Sequence, residues 1–271
     1  GTINFLNKLA ILKRSNINLK VVAITGSSGK TTLKTLLGKI LSEYGKTYFS
    51  KKSYNNHIGV PLSLSNLEHN HKYGVFEIGM SRAGEVLRLS NLVKPNIAII
   101  TNIGEAHIEN FDNLNGIAKA KSEIIVNINR GGYLILNRND KYFNYFSKLA
   151  RKRKINVLSF GRSARSNAIL VKNKLYKDYN KLHFRVLNKN IYLRVKNANP
   201  LIISNILFTL LTLHILDLDL KKIINFSKYF KLEEGRGKAH LVTRYKKKFQ
   251  LIDESYNANP SSVKNAINNF S

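Results

Sequence analysis

Ile24-Thr25-Gly26-Ser27-Ser28-Gly29-Lys30-Thr31-Thr32 sits between an apolar run, Val21-Val22-Ala23-Ile24, and the segment Leu33-Lys34-Thr35-Leu36-Leu37-Gly38-Lys39-Ile40-Leu41. The apolar run reads as a buried parallel strand, and the later segment repeats its apolar residues at helical spacing. Strand, glycine-rich turn, then helix is the layout of a phosphate-binding loop. Gly26 and Gly29 let backbone N–H groups converge on a polyphosphate, and the helix N-terminus adds partial positive charge. Lys30 is placed to reach terminal phosphates and the Thr31 hydroxyl to bind Mg²⁺. An ordinary Gly/Ser turn explains the glycines but not Gly29-Lys30-Thr31. The full G-x-x-x-x-G-K-[ST] pattern needs a glycine at position 24, where Ile24 stands. This is a shorter variant loop, so a P-loop NTPase is not the default choice.

Working outward, Tyr73–Gly79 and Ile97–Ile103 read as further buried strands, with a helix around 82–92 between them. Another helix is expected over about 113–129, and Gly131-Gly132 turns the chain into the strand Tyr133–Asn137. Strands alternating with helices predict an α/β fold, a mostly parallel sheet covered on both faces. Ligands collect at the carboxyl ends of such strands. A lead-in helix is expected within residues 3–20, and residues 46–60 form a polar loop running into Tyr54-Asn55-Asn56-His57-Ile58-Gly59-Val60-Pro61. From about 154 the short runs Ile155–Gly161, Ala168–Leu175, Leu182–Leu187 and Ile191–Val195 predict a small antiparallel part, followed by helices near 201–216 and 220–230. Gly235-Arg236-Gly237 marks a break and a domain boundary near 235; Phe249–Asp253 is a new strand and Pro260 opens a helix.

Composition narrows the classes. Lysine and arginine total 45 against 16 acidic residues, a formal net charge of +29 that attracts any polyanion. The lysines are spread among many Asn and Ile residues rather than gathered in a tail, which favours a compositional bias over a nucleic-acid footprint. Cysteine is absent, which excludes disulfides and thiolate chemistry and fits a cytoplasmic protein. A hydrophobic content of 43% supports a core. The apolar segment Leu201–Leu216 is interrupted by polar residues and falls short of the ~18 residues of a membrane span, so a soluble protein is expected. The chain starts with Gly1 and stops at Ser271 inside an apparent helix, so a piece of something longer is expected.

Four residues and one loop carry further chemistry. Glu77 lies in an apolar strand near its carboxyl end; a buried carboxylate needs a partner or a cation, and Mg²⁺ prefers oxygen ligands. An exposed strand-end glutamate is the bland alternative. His107 follows the third strand, with Glu105 and Glu109 as rival ligands. Lys121 shares one helix face with Ile117, Ile124, Ile125 and Ile128. Burial there would lower its pKa and leave an amine reactive toward electrophiles such as CO₂, whereas snorkelling would keep its head in water. Arg236 lies in a glycine-flanked hinge within reach of a phosphate, and Asp253-Glu254-Ser255-Tyr256-Asn257-Ala258-Asn259-Pro260 is a dense polar loop at a strand's carboxyl end.

Taken in order, these motifs resemble the Mur ligase family of ATP-dependent amide-forming enzymes. The likeness runs from about residue 21 to the end, through Thr25–Thr32, Asn55–Leu62, Phe76–Gly79, Thr101–Ile103, Ala106–Glu109, Ala118–Lys121, Gly235-Arg236 and Asp253–Pro260. The Ser255–Pro260 stretch points to the member that adds D-alanyl-D-alanine to UDP-N-acetylmuramoyl-tripeptide, a step of peptidoglycan precursor synthesis. The resemblance implies that Gly26, Ser27, Ser28, Gly29, Lys30, Thr31 and Thr32 hold ATP. It implies that Thr31 and Glu77 bind one Mg²⁺, and that His107 and a carbamoylated Lys121 bind a second. Lys30, Lys121, His107 and Arg236 are the catalytic set it implies. Asn205, Arg236, Asp253 and Asn257 would contact the nucleotide, and Asn55, Asn56, Tyr256 and Asn259 the substrates. Residues 1–20 become the remnant of a UDP-binding domain or linker, 21–235 the central ATP-binding domain and 236–271 the start of a truncated C-terminal domain.

One departure stands out: where the family has Gly-x-His-Asn, this chain has Asn199-Pro200-Leu201-Ile202. An altered adenine pocket is therefore expected. With the UDP-binding domain and most of the C-terminal domain expected to be missing, the chain by itself is expected to bind nucleotide weakly and not to ligate. A monomer with no specific nucleic-acid partner is expected. The rival readings are a sister ligase adding another amino acid, a basic nucleic-acid-binding NTPase, and a non-catalytic relative, against which Glu77, His107 and Lys121 together argue.

Overall fold

The computed structural model describes the chain apart from residues 197, 224–228, 230–234, 236–237, 246, 254, 256–262, 264–266 and 268–271. Arg236, Tyr256, Asn257 and Asn259, most of the helix expected over 220–230, and the start of the helix after Pro260 therefore lie outside the described residues.

In chain order the elements are α1 (Thr2–Ser15), β1 (Lys20–Thr25), α2 (Lys30–Leu41), β2 (Thr47–Phe49), α3 (Gly59–Ser65), β3 (Tyr73–Glu77), α4 (Glu85–Val93), β4 (Ile97–Ile100) and α5 (Leu114–Ser122). They continue with β5 (Tyr133–Asn137), α6 (Phe143–Lys152), β6 (Asn156–Phe160), β7 (Ala168–Leu175), β8 (Asn180–Val186), β9 (Lys189–Val195), α7 (Pro200–Ile215), β10 (Lys238–Arg244) and β11 (Lys247–Asp253). Nine strands form one sheet in the order β2-β3-β1-β4-β5-β6-β7-β8-β9. Through β7 every pairing is parallel, β6 meeting β7 only at Phe160 and Ala168; β7–β8 and β8–β9 are antiparallel.

The strand periodicity of two feeds two cores. Val21 and Ala23 of β1 point into the core shared with α4, α5 and α6, while Val22 and Ile24 point into the one built with α2 and α7. Ala98 and Ile100 against Ile97 and Ile99 repeat the division on β4. The mostly parallel sheet flanked by helices is the architecture that the alternating strands and helices predict.

Two expectations need correction. The run Ile155–Gly161 was expected to be antiparallel, yet β6 lies parallel to β5, with Leu134 opposite Val157 and Leu136 opposite Ser159. The cause is α6, which the sequence reading did not place: it buries Phe143, Phe146, Ser147 and Ala150 on one face and carries the chain back for a second parallel strand. The helix expected over 113–129 is α5 followed by a 3₁₀ turn at Glu123–Asn127. The strand ending at Asp253 is also one arm of an antiparallel hairpin with β10.

β1 lies between β3 and β4, and the chain leaves it toward β2 and β3 on one side and returns to β4 on the other. That switch point puts the carboxyl ends of three neighbouring strands around one crevice. On the opposite face, Phe208 of α7 packs edge-on against Phe160 of β6, ring centroids 4.6 Å apart, and both are buried. Replacing Phe208 by Ala is expected to lower the unfolding free energy, read by urea titration, by about 3–5 kcal/mol. Replacing the exposed Phe5 is expected to change it by less than ~0.5 kcal/mol.

Candidate active site

Gly26 sets the course of the loop. Its φ of 144° lies where side chains are strained, and a Cβ built on it would sit 1.9 Å from Thr101 Oγ1. Only glycine fits. Gly29, with φ 77°, then turns the chain left-handed into α2. The end of β4 braces the loop: Asn102 accepts the Ser27 N–H at its carbonyl (3.0 Å) and the Ser28 N–H at Oδ1 (2.9 Å). Asn102 Nδ2 donates to Ser28 Oγ at 2.7 Å, Thr101 Oγ1 donates to the Ser28 carbonyl at 2.7 Å, and the Gly104 N–H donates to Ser27 Oγ at 2.8 Å. Ser27 and Ser28 thus face the neighbouring strand, and the first turn of α2 directs its N–H groups out of the helix axis.

Glu77 is 2% exposed and resolves the alternatives left by the sequence in favour of burial. Its Oε2 accepts from Thr31 Oγ1 at 2.9 Å and its Oε1 from Asn55 Nδ2 at 2.7 Å; Ser53 Oγ lies 2.8 Å from Thr31 Oγ1. A hydroxyl and a carboxylate side by side are hard oxygen donors, a set that suits Mg²⁺. Lys30 Nζ turns back to the Gly26 carbonyl at 2.9 Å.

Lys121 is 2% exposed, so it does not snorkel. Its Nζ donates to the same Gly26 carbonyl at 3.1 Å. Desolvation, with the charge of Lys30 as a second cause, pushes its pKa well below the ordinary value of 10.5, which favours the neutral amine. His107, in the left-handed region at φ 64°, opens the 3₁₀ turn Ile108–Asn110 with its side chain 42% exposed and Nδ1 3.8 Å from Glu109 Oε1. Burial lowers its pKa, Lys121 and Lys30 lower it further, and Glu109 opposes them. The charge of Lys121 thus reaches His107. Among the described residues no three His, Asp or Glu side chains gather as a metal cluster.

The remaining expected residues are placed less centrally. Thr32 is half-buried in the first turn of α2. Asn56 is exposed, its Oδ1 accepting from the N–H groups of Ile58 and Gly59 at the start of α3. Asn205 is buried on α7 with its Nδ2 lacking a hydrogen-bond partner among the described residues. Leu201, in the first turn of α7, borders the loop: a Cβ built on Gly29 would lie 3.5 Å from it. Asp253 accepts from the N–H groups of Gly235 (3.0 Å) and Ser255 (3.1 Å). Sequence reasoning missed Thr101 and Asn102 as the brace of the loop, and Ser53 as the neighbour of Thr31; residue type alone gave no signal for them.

A family profile described as the Mur ligase middle domain matches residues 24–213. The chain is similar to the UDP-N-acetylmuramoyl-tripeptide–D-alanyl-D-alanine ligase of Rickettsia prowazekii, 33% identical over 263 residues that cover 97% of this chain and 58% of that protein. It is similar in structure to MurF from Acinetobacter baumannii, with a TM-score of 0.87 and 30% identity over 97% of this chain and 56% of that one. The MurF ligase from Thermotoga maritima in complex with ADP gives a TM-score of 0.84 and 27% identity, over 99% of this chain and 60% of that one. The chain thus spans somewhat over half the length of these relatives.

The depressed pKa of Lys121 has a consequence for stability. The unfolded chain binds more protons than the folded one between the depressed value and 10.5, so stability rises with pH across that window. Urea unfolding of the wild type and of Lys121→Met, followed from about pH 7 to about pH 10, is expected to show a steeper rise with pH in the wild type. Parallel curves would contradict this.

Proposed function

Since the chain belongs to the Mur ligase family, we propose that the crevice around Gly26 is the ATP side of an amide ligase. In the complete enzyme it joins D-alanyl-D-alanine to UDP-N-acetylmuramoyl-tripeptide. The observation that carries this reading is the buried Thr31–Glu77 pair, 2.9 Å apart, one residue from Lys30. A hydroxyl and a carboxylate next to a phosphate-loop lysine serve a cation that accompanies a polyphosphate. The ADP complex of the Thermotoga maritima relative supports a nucleotide in the corresponding fold.

The chemistry follows from the residues. A carboxylate is a poor acylating agent, so the γ-phosphoryl group of ATP moves to the terminal carboxylate of the tripeptide. An O–P bond forms to the carboxylate as the bond to ADP breaks. The amine of the dipeptide then attacks the acyl carbon, loses a proton, and phosphate leaves with the C–O bond. Lys30, released from the Gly26 carbonyl, meets the negative charge on the transferring group. Thr31 and Glu77 would hold one Mg²⁺, and His107 with a modified Lys121 a second; bound Mg²⁺ would neutralise charge on the phosphoryl oxygens. The modification adds CO₂ to the neutral amine of Lys121, giving a carbamate and releasing one proton. The carbamate would keep an N–H for Gly26 and would offer carboxylate-like oxygens to a cation.

In the same reading Asn205, whose buried Nδ2 has no hydrogen-bond partner among the described residues, would lie near the adenine, and Arg236, Asp253 and Asn257 would contact the nucleotide. Asn55, Asn56, Tyr256 and Asn259 would contact the substrates. Residues 1–20, 21–235 and 236–271 are then parts of three domains of a cytoplasmic, monomeric enzyme.

Two outcomes test this. Calorimetric titration of the 271-residue chain with ATP is expected to show binding that Lys30→Ala weakens, and that Glu77→Gln weakens about tenfold or more only when Mg²⁺ is present. In a full-length ligase that carries this segment, ADP release is expected to require the UDP-linked tripeptide and D-alanyl-D-alanine together, with ¹⁸O from the peptide carboxylate appearing in the released phosphate. ADP release dependent on a different amine would assign a sister ligase, and stimulation by RNA or DNA alone would overturn the reading.

A further inference from the structure

Lys34 lies one helical turn past Lys30 on α2 and is among the largest side chains that are completely buried. Its Nζ donates to the Lys52 carbonyl at 2.8 Å and to Ser50 Oγ at 3.1 Å, and Ser50 Oγ itself donates to the Lys52 carbonyl at 2.7 Å. These bonds close a ring at the root of the loop 50–56. Farther along that loop, Ser53 Oγ meets Thr31 Oγ1 at 2.8 Å and Asn55 Nδ2 donates to Glu77 at 2.7 Å. The Asn55 carbonyl accepts the Gly79 N–H at 2.8 Å, which ties the same loop to the end of β3.

Burying a lysine amine costs free energy that a methionine of similar length would avoid. What the amine adds is direction: its N–H donors on a rigid helix fix where two oxygens of the loop must lie. We propose that Lys34 is a positioning residue. It clamps the loop 50–56 to the helix that follows the phosphate loop, and through Ser53 and Asn55 it holds Thr31 and Glu77 in the orientation that a nucleotide-bound cation requires. The clamp itself stands on the hydrogen bonds; its effect on cation binding rests on the ATP reading given above.

The test combines amide hydrogen exchange of the nucleotide-free 271-residue chain with ATP affinity measured with and without Mg²⁺, in the wild type, Lys34→Met and Ser50→Ala. In K34M, exchange in residues 50–56 is expected to rise about tenfold or more while β1 and β3 keep their protection. Affinity for ATP is expected to fall about tenfold with Mg²⁺ and to stay unchanged without it. S50A, which removes one acceptor, is expected to move both readouts in the same direction by less, and decides the matter if K34M does not fold. Unchanged exchange in the loop, or equal loosening of the loop and of β1 and β3, would overturn the proposal. If the wild type binds no ATP but K34M still loosens the loop selectively, the clamp stands and the ATP reading falls.

Discussion

One carbonyl oxygen, that of Gly26, receives both Lys30 Nζ and Lys121 Nζ. Much of the site depends on how that oxygen is presented. Gly26 can take its conformation only without a Cβ, because Thr101 fills the place a side chain would occupy. Its carbonyl is thereby aimed into the crevice, and two lysine side chains converge on it. Burial first, and the nearby charge of Lys30 second, depress the pKa of Lys121. A phosphate entering the crevice offers Lys30 a charged partner in place of a neutral one, and charge-assisted bonds are the stronger kind. The loop is thus held in a conformation whose bonds an anion can improve upon.

The sheet makes this possible by bringing distant parts of the chain together. The loop after β1, the Glu77 end of β3 and the Thr101–Gly104 segment after β4 are neighbours because β1 is paired on both sides. Alternate residues of these strands enter different cores, so the backbone at the strand ends is fixed from both faces. The side chains that touch the site inherit this rigidity from strands and helices, the placement that keeps catalytic geometry tight.

What could be read from the sequence follows from local contrast. Glu77 and Lys121 are charges within apolar patterns, and such mismatches announce themselves without any knowledge of the fold. The Gly26–Thr31 motif carries its own meaning, and the alternation of strands and helices gave the parallel sheet. Thr101, Asn102 and Ser53 are ordinary polar residues whose roles exist only through contacts across about 20 to 75 positions. No periodicity marks them. Lys34 stood on the page as one lysine among many, and its burial depends on how α2 meets the loop at 50–52. The direction of β6 was misread for a similar reason: alternating short runs look alike whichever way they pair, and α6, which settles the direction, was not placed.

The central claim is that an anion at the crevice displaces Lys30 from Gly26 while Thr31 and Glu77 accept its cation. A crystal structure of the chain grown with ADP and Mg²⁺ tests it most directly. The account predicts Lys30 Nζ against the β-phosphate, the metal coordinated by Thr31 Oγ1 with Glu77 as ligand or water-bridged neighbour, and Lys121 still on Gly26. Nucleotide bound elsewhere, with Lys30 left on the Gly26 carbonyl and the Thr31–Glu77 bond intact, would contradict it.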